Sequence, residues 1–327
     1  MRKLILRNFQ SAGDIVRLSA AVRDLHRCHP GEFLTDVRTS CSDVWLHNPH
    51  LTPLADDDPD VQVVDCHYPL IHRSNQEPRH FLDGFVEHLN EQLGLRIRVT
   101  DFRGDLHIYE SEKHWFRRVE ALEGECPPFW LLASGGKYDY TIKWWDAARY
   151  QDVVDLRGQT SLRELIRLVF HAQGALSAVS LLMHLTAAVE VKPGMPKNRP
   201  CVVVAGGREP PHFTAYPHHQ FIHMVGALQC CDNGGCWKAR TLPLGDGDVN
   251  DRPDALCVDV VGALPRCMDM ISADDVIRRI ELYFRGGALP LPPSPGVHLR
   301  HPDVAGVTAR GATSILGRGQ LDRTTAT

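Results

Sequence analysis

The chain of 327 residues lacks any apolar run of membrane-spanning length, so no stretch reads as a transmembrane helix. It lacks a cleavable signal pattern at its start, because the N-terminus runs directly into an apolar strand. A cytoplasmic protein is the resulting expectation. It also lacks a surplus of either charge. Lys and Arg number 36 and Asp and Glu 40, for a net charge of -4, which argues against a dedicated nucleic-acid binder. No internal repeat is present. Cysteine, in contrast, is not scarce. Ten cysteines in a cytoplasmic protein read as reduced thiols or metal ligands, not as a disulfide framework. The 18 histidines are dispersed and read mostly as surface or loop residues.

The most informative stretch is Lys3 to His29. Leu4-Ile5-Leu6 is a short apolar run of the kind that forms a buried parallel strand. A polar loop, Asn8 to Asp14, follows. Then Ile15, Val16, Leu18, Ala21, Val22 and Leu25 recur at helical spacing. Strand, glycine-bearing loop and helix open a doubly wound α/β domain, in which ligands bind beyond the carboxyl ends of the strands. Asp14 falls at the helix start, where it either caps the helix or faces a ligand.

Further strands are expected at 33–38, 61–65, 129–133, 175–179 and 200–205, with a short strand or loop at 106–109. Helices are expected at Pro78 to Leu95, Ala147 to Val154, Ser161 to Phe170, Ser180 to Glu190 and Ile271 to Phe284. One more helix and a crossover are expected between Glu110 and Pro128. Thr160 or Ser161 caps the Ser161 helix, with Glu164 three residues beyond Ser161. Strands alternate with helices in both halves, so the fold class is α/β. The division read from this is 1–128, 129–287 and a flexible tail at 288–327, where Pro, Gly, Arg and Thr predominate.

Four motifs stand out. They are Ser11-Ala12-Gly13-Asp14; Gly135-Gly136 followed by Lys143-Trp144-Trp145; Thr160-Ser161-Leu162-Arg163-Glu164-Leu165; and Val179-Ser180-Leu181-Leu182-Met183-His184-Leu185-Thr186-Ala187-Ala188. The last offers an anion site at a helix start, with His184 one turn along the same face. Together they resemble the family 9 glycosyltransferases, the ADP-heptose-dependent heptosyltransferases. The resemblance implies a GT-B layout, two Rossmann-like domains facing a cleft. It implies Asp14 as the general base toward the acceptor hydroxyl. It implies Gly135, Gly136, Lys143, Ser180 and His184 as contacts to the nucleotide sugar, with Lys143 on the diphosphate. Two departures are plain. The family's Asp and Gly-Pro are Val179 and Leu181-Leu182 here, and a strand-loop unit is missing between 154 and 161.

Cys230, Cys231, Cys236, Cys257 and Cys267 crowd the segment 229–268, which has little apolar periodicity. Four thiolates suit one zinc or one iron. The alternative is free, mostly buried thiols. Of the adjacent pair only one reaches a metal, and Cys231 is taken with Cys236, Cys257 and Cys267; His218, His219 and His223 are alternative ligands. The Gly-Cys-Trp turn resembles the autotransporter heptosyltransferase branch, which implies a structural, cysteine-held ion, a protein hydroxyl acceptor and a homo-oligomer. The function implied is transfer of a heptose or related sugar from an ADP-sugar to a lipopolysaccharide-core or protein hydroxyl. The departures support an alternative, a non-catalytic, metal-stabilised binding or assembly module.

Overall fold

The computed structural model describes residues 1–67, 77–114, 128–133, 140–143, 145 and 155–290. Its first strand, β1 (Arg2–Asn8), buries Leu4, Ile5 and Leu6, as an apolar run with covered faces requires. β1 is central in a parallel sheet of order β2-β1-β3, with β2 at Phe33–Thr39 and β3 at Val61–Asp65. Helix α1 (Ala12–Cys28) joins β1 to β2, and α2 (Phe81–Leu93) follows β3. α2 begins three residues after the Pro78 expected as its start. His80 is its cap, its ring Nδ1 accepting from the Leu82 N–H at 3.2 Å, and left-handed Gly94 ends it.

The second half repeats the plan. β4 (Trp130–Ala133), β5 (Gly174–Ala178), β6 (Cys201–Gly206) and β7 (His219–His223) form a parallel sheet in that order. Helix α3 (Leu162–His171) precedes β5, and α4 (Leu181–Ala188) lies between β5 and β6. The short α5 (Pro211–Thr214) follows β6. The two-residue strands β8 (Val260–Val261) and β9 (Leu264–Pro265) pair antiparallel, and α6 (Arg266–Asp269) and α7 (Ala273–Arg285) complete the described chain. β7 was not apparent in the sequence, because His219-Gln220-Phe221-Ile222-His223 has no apolar run and only Ile222 is buried. β4 pairs directly with β5, Trp130 opposite Gly174, and among the described residues no strand lies between them. The stretch at 106–109 supplies only one bridge, Leu106 to Val189. The helix read at 147–154, most of the crossover before Pro128 and the tail from 291 lie outside the described residues. No described helix is long and apolar enough to cross a membrane.

The two sheets belong to one unit, Met1–Pro290. A single apolar cluster runs through both, from Leu6, Val16, Leu18 and Phe85 to Ile166, Met183, Val203 and Phe213. A second cluster under α7 joins Trp145, Val204, Ile222, Met268 and Tyr283. Two buried arginines tie the layers. Arg23 pairs with Asp24 and donates to the carbonyls of Asp101 and Arg103. Arg199 donates to carbonyls at the C-terminal ends of α3 and α4, among them Ala172, Val189 and Glu190, where a cation complements both helix ends.

Arg163, from the Thr-Ser-Leu-Arg-Glu-Leu motif, bolts α3 to the first half. It holds the Glu112 carboxylate with two guanidinium N–H groups and donates to the carbonyls of His107 and Asp43. The guanidinium holds the Glu112 carboxyl down at about 2, against an ordinary 4.5. A depressed carboxyl stabilises the fold above its unfolded value and loses that contribution as pH falls from 4.5 through 2. Glu112→Gln is therefore expected to cost about 2 kcal/mol at pH 7, the scale of a charge-assisted bond. The penalty should shrink toward pH 2. Urea unfolding of both proteins across that range measures it, and a penalty independent of pH would assign the loss to packing.

Candidate active site

The start of α1 and the start of α4 meet where the strands of both sheets end. A Cβ on Gly13 would lie 2.9 Å from the His184 ring, so only glycine admits this approach. Asp14 closes the cap of α1. The backbone N–H and the hydroxyl of Ser11 both donate to its Oδ2, at 3.2 and 2.7 Å. Its Oδ1 stands 3.5 Å from Arg17 Nη1. Asp14 thus caps the helix at the first strand-to-helix turn.

Arg17 was not singled out from the sequence. It is 4% exposed, stacks 3.5 Å over the Phe81 ring and donates to Thr214 Oγ1 at 2.6 Å. Its Nε has no partner among the described residues. It joins the base candidate of the first half to α5 of the second.

His184 is buried, with ring Nδ1 3.0 Å from the Tyr216 hydroxyl. Burial drives its pKa well below the ordinary value, and the charges of Arg17 and Lys143 add to the effect. It is a neutral imidazole at neutral pH. His80 and His219 flank the Tyr216 ring and are also neutral, each pushed down to about 3, chiefly by burial.

Ser180 occupies the N-cap position of α4, but its hydroxyl turns to Ser177 Oγ at 3.0 Å and caps no helix N–H. Among the described residues Ser180 gives the first turn of α4 no side-chain cap. Lys143 Nζ lies 3.1 Å from the Val179 carbonyl, just before that helix, and 2.7 Å from Glu209 Oε1. Glu209, 5% exposed, also pairs with Arg208. A carboxylate therefore does stand beside Lys143, contributed from beyond β6. No signal in the sequence marked it, because Arg208-Glu209 reads as an ordinary charged loop. Gly135, Gly136 and Trp144 lie outside the described residues.

Concavities lie toward the other end of α4. They are lined by Phe170, Lys192 and Arg199, by Gly104, His107 and Glu190, and by Phe102, Thr186 and Tyr216.

The cysteines gather behind this site. Cys231 Sγ lies 3.0 Å, and Cys267 Cβ 3.4 Å, from where a side chain on Gly207 would begin. The Cys236 N–H donates to the Gly207 carbonyl at 3.1 Å. Burial pushes the Cys267 thiol up to about 12 and the Cys230 thiol up to about 11, and neighbouring thiols, Cys236 and Cys257 among them, add to both. Cys231 Sγ donates to the Met224 and Leu228 carbonyls, at 3.2 and 3.3 Å. As the side chains stand, no three His, Cys, Asp or Glu among the described residues enclose an ion.

No protein-family model matches the sequence, and no curated protein matches it. Solved structures do match. A family 9 glycosyltransferase from Veillonella parvula aligns over 68% of this chain and 85% of its own, at 14% identity and a TM-score of 0.51. The E. coli ADP-heptose lipopolysaccharide heptosyltransferase II aligns over 88% and 100%, at 11% identity and a TM-score of 0.51. The fold is that of the family 9 glycosyltransferases. The iron-containing dodecameric glycosyltransferase TibC from enterotoxigenic E. coli shares it, over 88% of this chain and 78% of that one, at 15% identity and a TM-score of 0.53. TibC has also been solved in complex with ADP-D-β-D-heptose.

Proposed function

We propose that this chain is a glycosyltransferase that moves a heptose or related sugar from an ADP-sugar to a hydroxyl acceptor. What supports the reading is a family 9 fold in which Asp14 lies at the first strand-to-helix turn and Lys143 stands at the Val179 carbonyl just before α4. Asp14 takes the proton of the acceptor hydroxyl as that oxygen attacks the anomeric carbon. Lys143 and the N–H groups of α4 hold the departing diphosphate, which carries the charge that develops as the glycosidic bond breaks. Neutral His184 adds no charge and buttresses the seam between α1 and α4. The acceptor is a lipopolysaccharide-core sugar or a protein hydroxyl, and the protein assembles with further copies of itself.

We also propose one iron or zinc ion held by Cys231, Cys236, Cys257 and Cys267. The chemistry of the donors suits it: the sulfurs of Cys231 and Cys267 lie against one glycine turn, and neighbouring thiols raise the cost of ionising Cys236 and Cys267. A divalent cation reverses that cost. Four protein ligands leave no open position, so its role is structural.

ADP is expected to stabilise the protein by about 2.7 kcal/mol at a hundred times its dissociation constant, read as a rise in melting temperature. The second reading, a binding or assembly module, rests on Val179 and Leu181-Leu182 in place of the family's acid and Gly-Pro. No shift at millimolar ADP, and no hydrolysis across a panel of nucleotide sugars, would favour it.

A further inference from the structure

A concavity of about 250 Å³ lies one turn further along α1 and α4 than the contact of Gly13 with His184. Gly104 in its wall packs on both helices. A Cβ there would stand 2.6 Å from the Val16 carbonyl oxygen and 3.0 Å from the Ala188 Cβ, so only glycine fits. Asp105, His107, Lys113 and Glu190 supply polar side chains, with Arg103 beside them. The backbone that carries them is fixed. The Asp105 N–H donates to Ser19 Oγ at 2.8 Å, and Leu106 bridges to Val189. The carbonyls of His107 and Glu190 accept from Arg163 and Arg199. An engineered apolar cavity of ~150 Å³ encloses a benzene ring, so this space admits a six-membered ring with its substituents.

The polar groups hold one another on one side only. Asp105 Oδ2 meets His107 Nε2 at 2.9 Å, and Glu190 Oε1 meets Lys113 Nζ at 2.8 Å. Burial works against the Asp105 charge, but the hydrogen bond and charge of His107 outweigh it and hold the carboxyl below its ordinary value. In the neutral ring the His107 Nε2–H donates to this carboxylate, which leaves Nδ1 as an acceptor. Asp105 Oδ1, His107 Nδ1 and Glu190 Oε2 have no hydrogen-bond partner among the described residues. Donors stand beside these acceptors. Lys113 gives two N–H groups to Glu110 and Glu190 and keeps a third. Arg103 gives its Nε to Asp101, and its terminal nitrogens make no hydrogen bond among the described residues.

Charge decides the ligand class. Each cation already faces a carboxylate, Arg103 that of Asp101 and Lys113 those of Glu110 and Glu190, so no positive surplus awaits an anion. No three His, Cys, Asp or Glu side chains among the described residues enclose a metal ion. Open acceptors set among open donors suit hydroxyl groups, each of which donates and accepts at once. We propose that this concavity is a binding site for an uncharged sugar ring, such as a non-reacting ring of an oligosaccharide acceptor. The site does not depend on the nucleotide-sugar reading above. Its groups are paired and its backbone fixed before a ligand arrives, so little ordering opposes binding.

The test is saturation-transfer NMR of the purified full-length protein with the methyl glycosides of mannose, galactose and glucose, and with methyl glucuronide as a charged probe. At least one neutral glycoside should bind with millimolar affinity. The glucuronide carboxylate meets Asp105 and Glu190, and it should bind about tenfold more weakly. Glu190→Ala, at a partly exposed position that leaves Lys113 its Glu110 partner, should weaken the neutral glycoside about tenfold. His107→Phe, which keeps a ring and removes the Nδ1 acceptor, should do the same. No saturation transfer from any neutral glycoside, or wild-type affinity in both folded variants, would overturn the proposal. A glucuronide bound as tightly as the neutral probes would overturn the uncharged class. A glycoside lost in Lys143→Ala and kept in Glu190→Ala would also overturn it, by putting the sugar in the donor region. Protein that binds ADP but none of the glycosides would keep the nucleotide-sugar reading and lose this site alone.

Discussion

Asp14→Asn is expected to lower sugar transfer by about a hundredfold or more in a protein that still folds. Asparagine keeps an oxygen that accepts the Ser11 hydroxyl and N–H, so the start of α1 survives. It loses the negative charge facing Arg17 and the first-turn helix dipole, a cost on the order of 1 kcal/mol. What it cannot do is take a proton. ADP affinity should be unchanged, because the proposed nucleotide contacts are Lys143 and α4, and this separates a chemical defect from a folding one. Steady-state transfer with an ADP-sugar, ADP titration and urea unfolding of the same preparation read the three quantities. Full transfer activity in the variant would remove Asp14 from the mechanism and leave it as a cap.

The second large effect concerns the cysteines. As-purified protein is expected to carry about one equivalent of iron or zinc per chain, and Cys236→Ser to release it. An iron site would be coloured by thiolate charge transfer, and a zinc site colourless. The segment around these thiols holds few apolar contacts of its own: Leu242, Leu244, Val249 and Val258 are exposed. Its internal order rests on polar ties. Buried Arg240 is gripped by Asp246 and Asp251, and the Cys257 N–H donates to the Arg240 carbonyl at 2.7 Å. Metal-binding energy would therefore be folding energy for this loop. In Cys236→Ser the loop should become sensitive to protease while the β1–α1 unit stays protected. The sensitivity should extend to Gly207 and Arg208, to which Cys236 and Trp237 are bonded. Metal-free protein of unchanged stability and unchanged protease resistance would return the cysteines to the role of buried thiols.

Much of the local structure was legible because its causes are local. The apolar run of β1, the spacing in α1 and the buried strands β5 and β6 depend on neighbours a few residues away. So does one cap, Ser161 with Glu164. Asp14, Lys143, Ser180 and His184 were singled out through short motifs; in the fold the Gly13 backbone packs on His184 and Lys143 reaches the carbonyl before Ser180. Where the reading of α2 slipped, a histidine had taken a cap that propensity assigns to Ser, Thr, Asp or Asn.

Alone, the sequence determined the α/β alternation, the position of Asp14 at the first strand-to-helix turn and the crowding of cysteines in one segment. Tertiary structure decided the rest. β7 exists because β6 offers it an edge, not because its own residues demand a strand. Arg17 reaches Thr214 across 197 positions of sequence. Glu209 reaches Lys143 from beyond β6, and the start of α1 closes on His184. Cys231 and Cys267 meet at Gly206-Gly207, a turn that lies outside their own segment. Each of these pairs charges, rings or thiols that are far apart in the chain. Hydrophobic periodicity carries the local burial face of an element but not which partner covers it, and a buried charge finds its counterion only once that partner is in place.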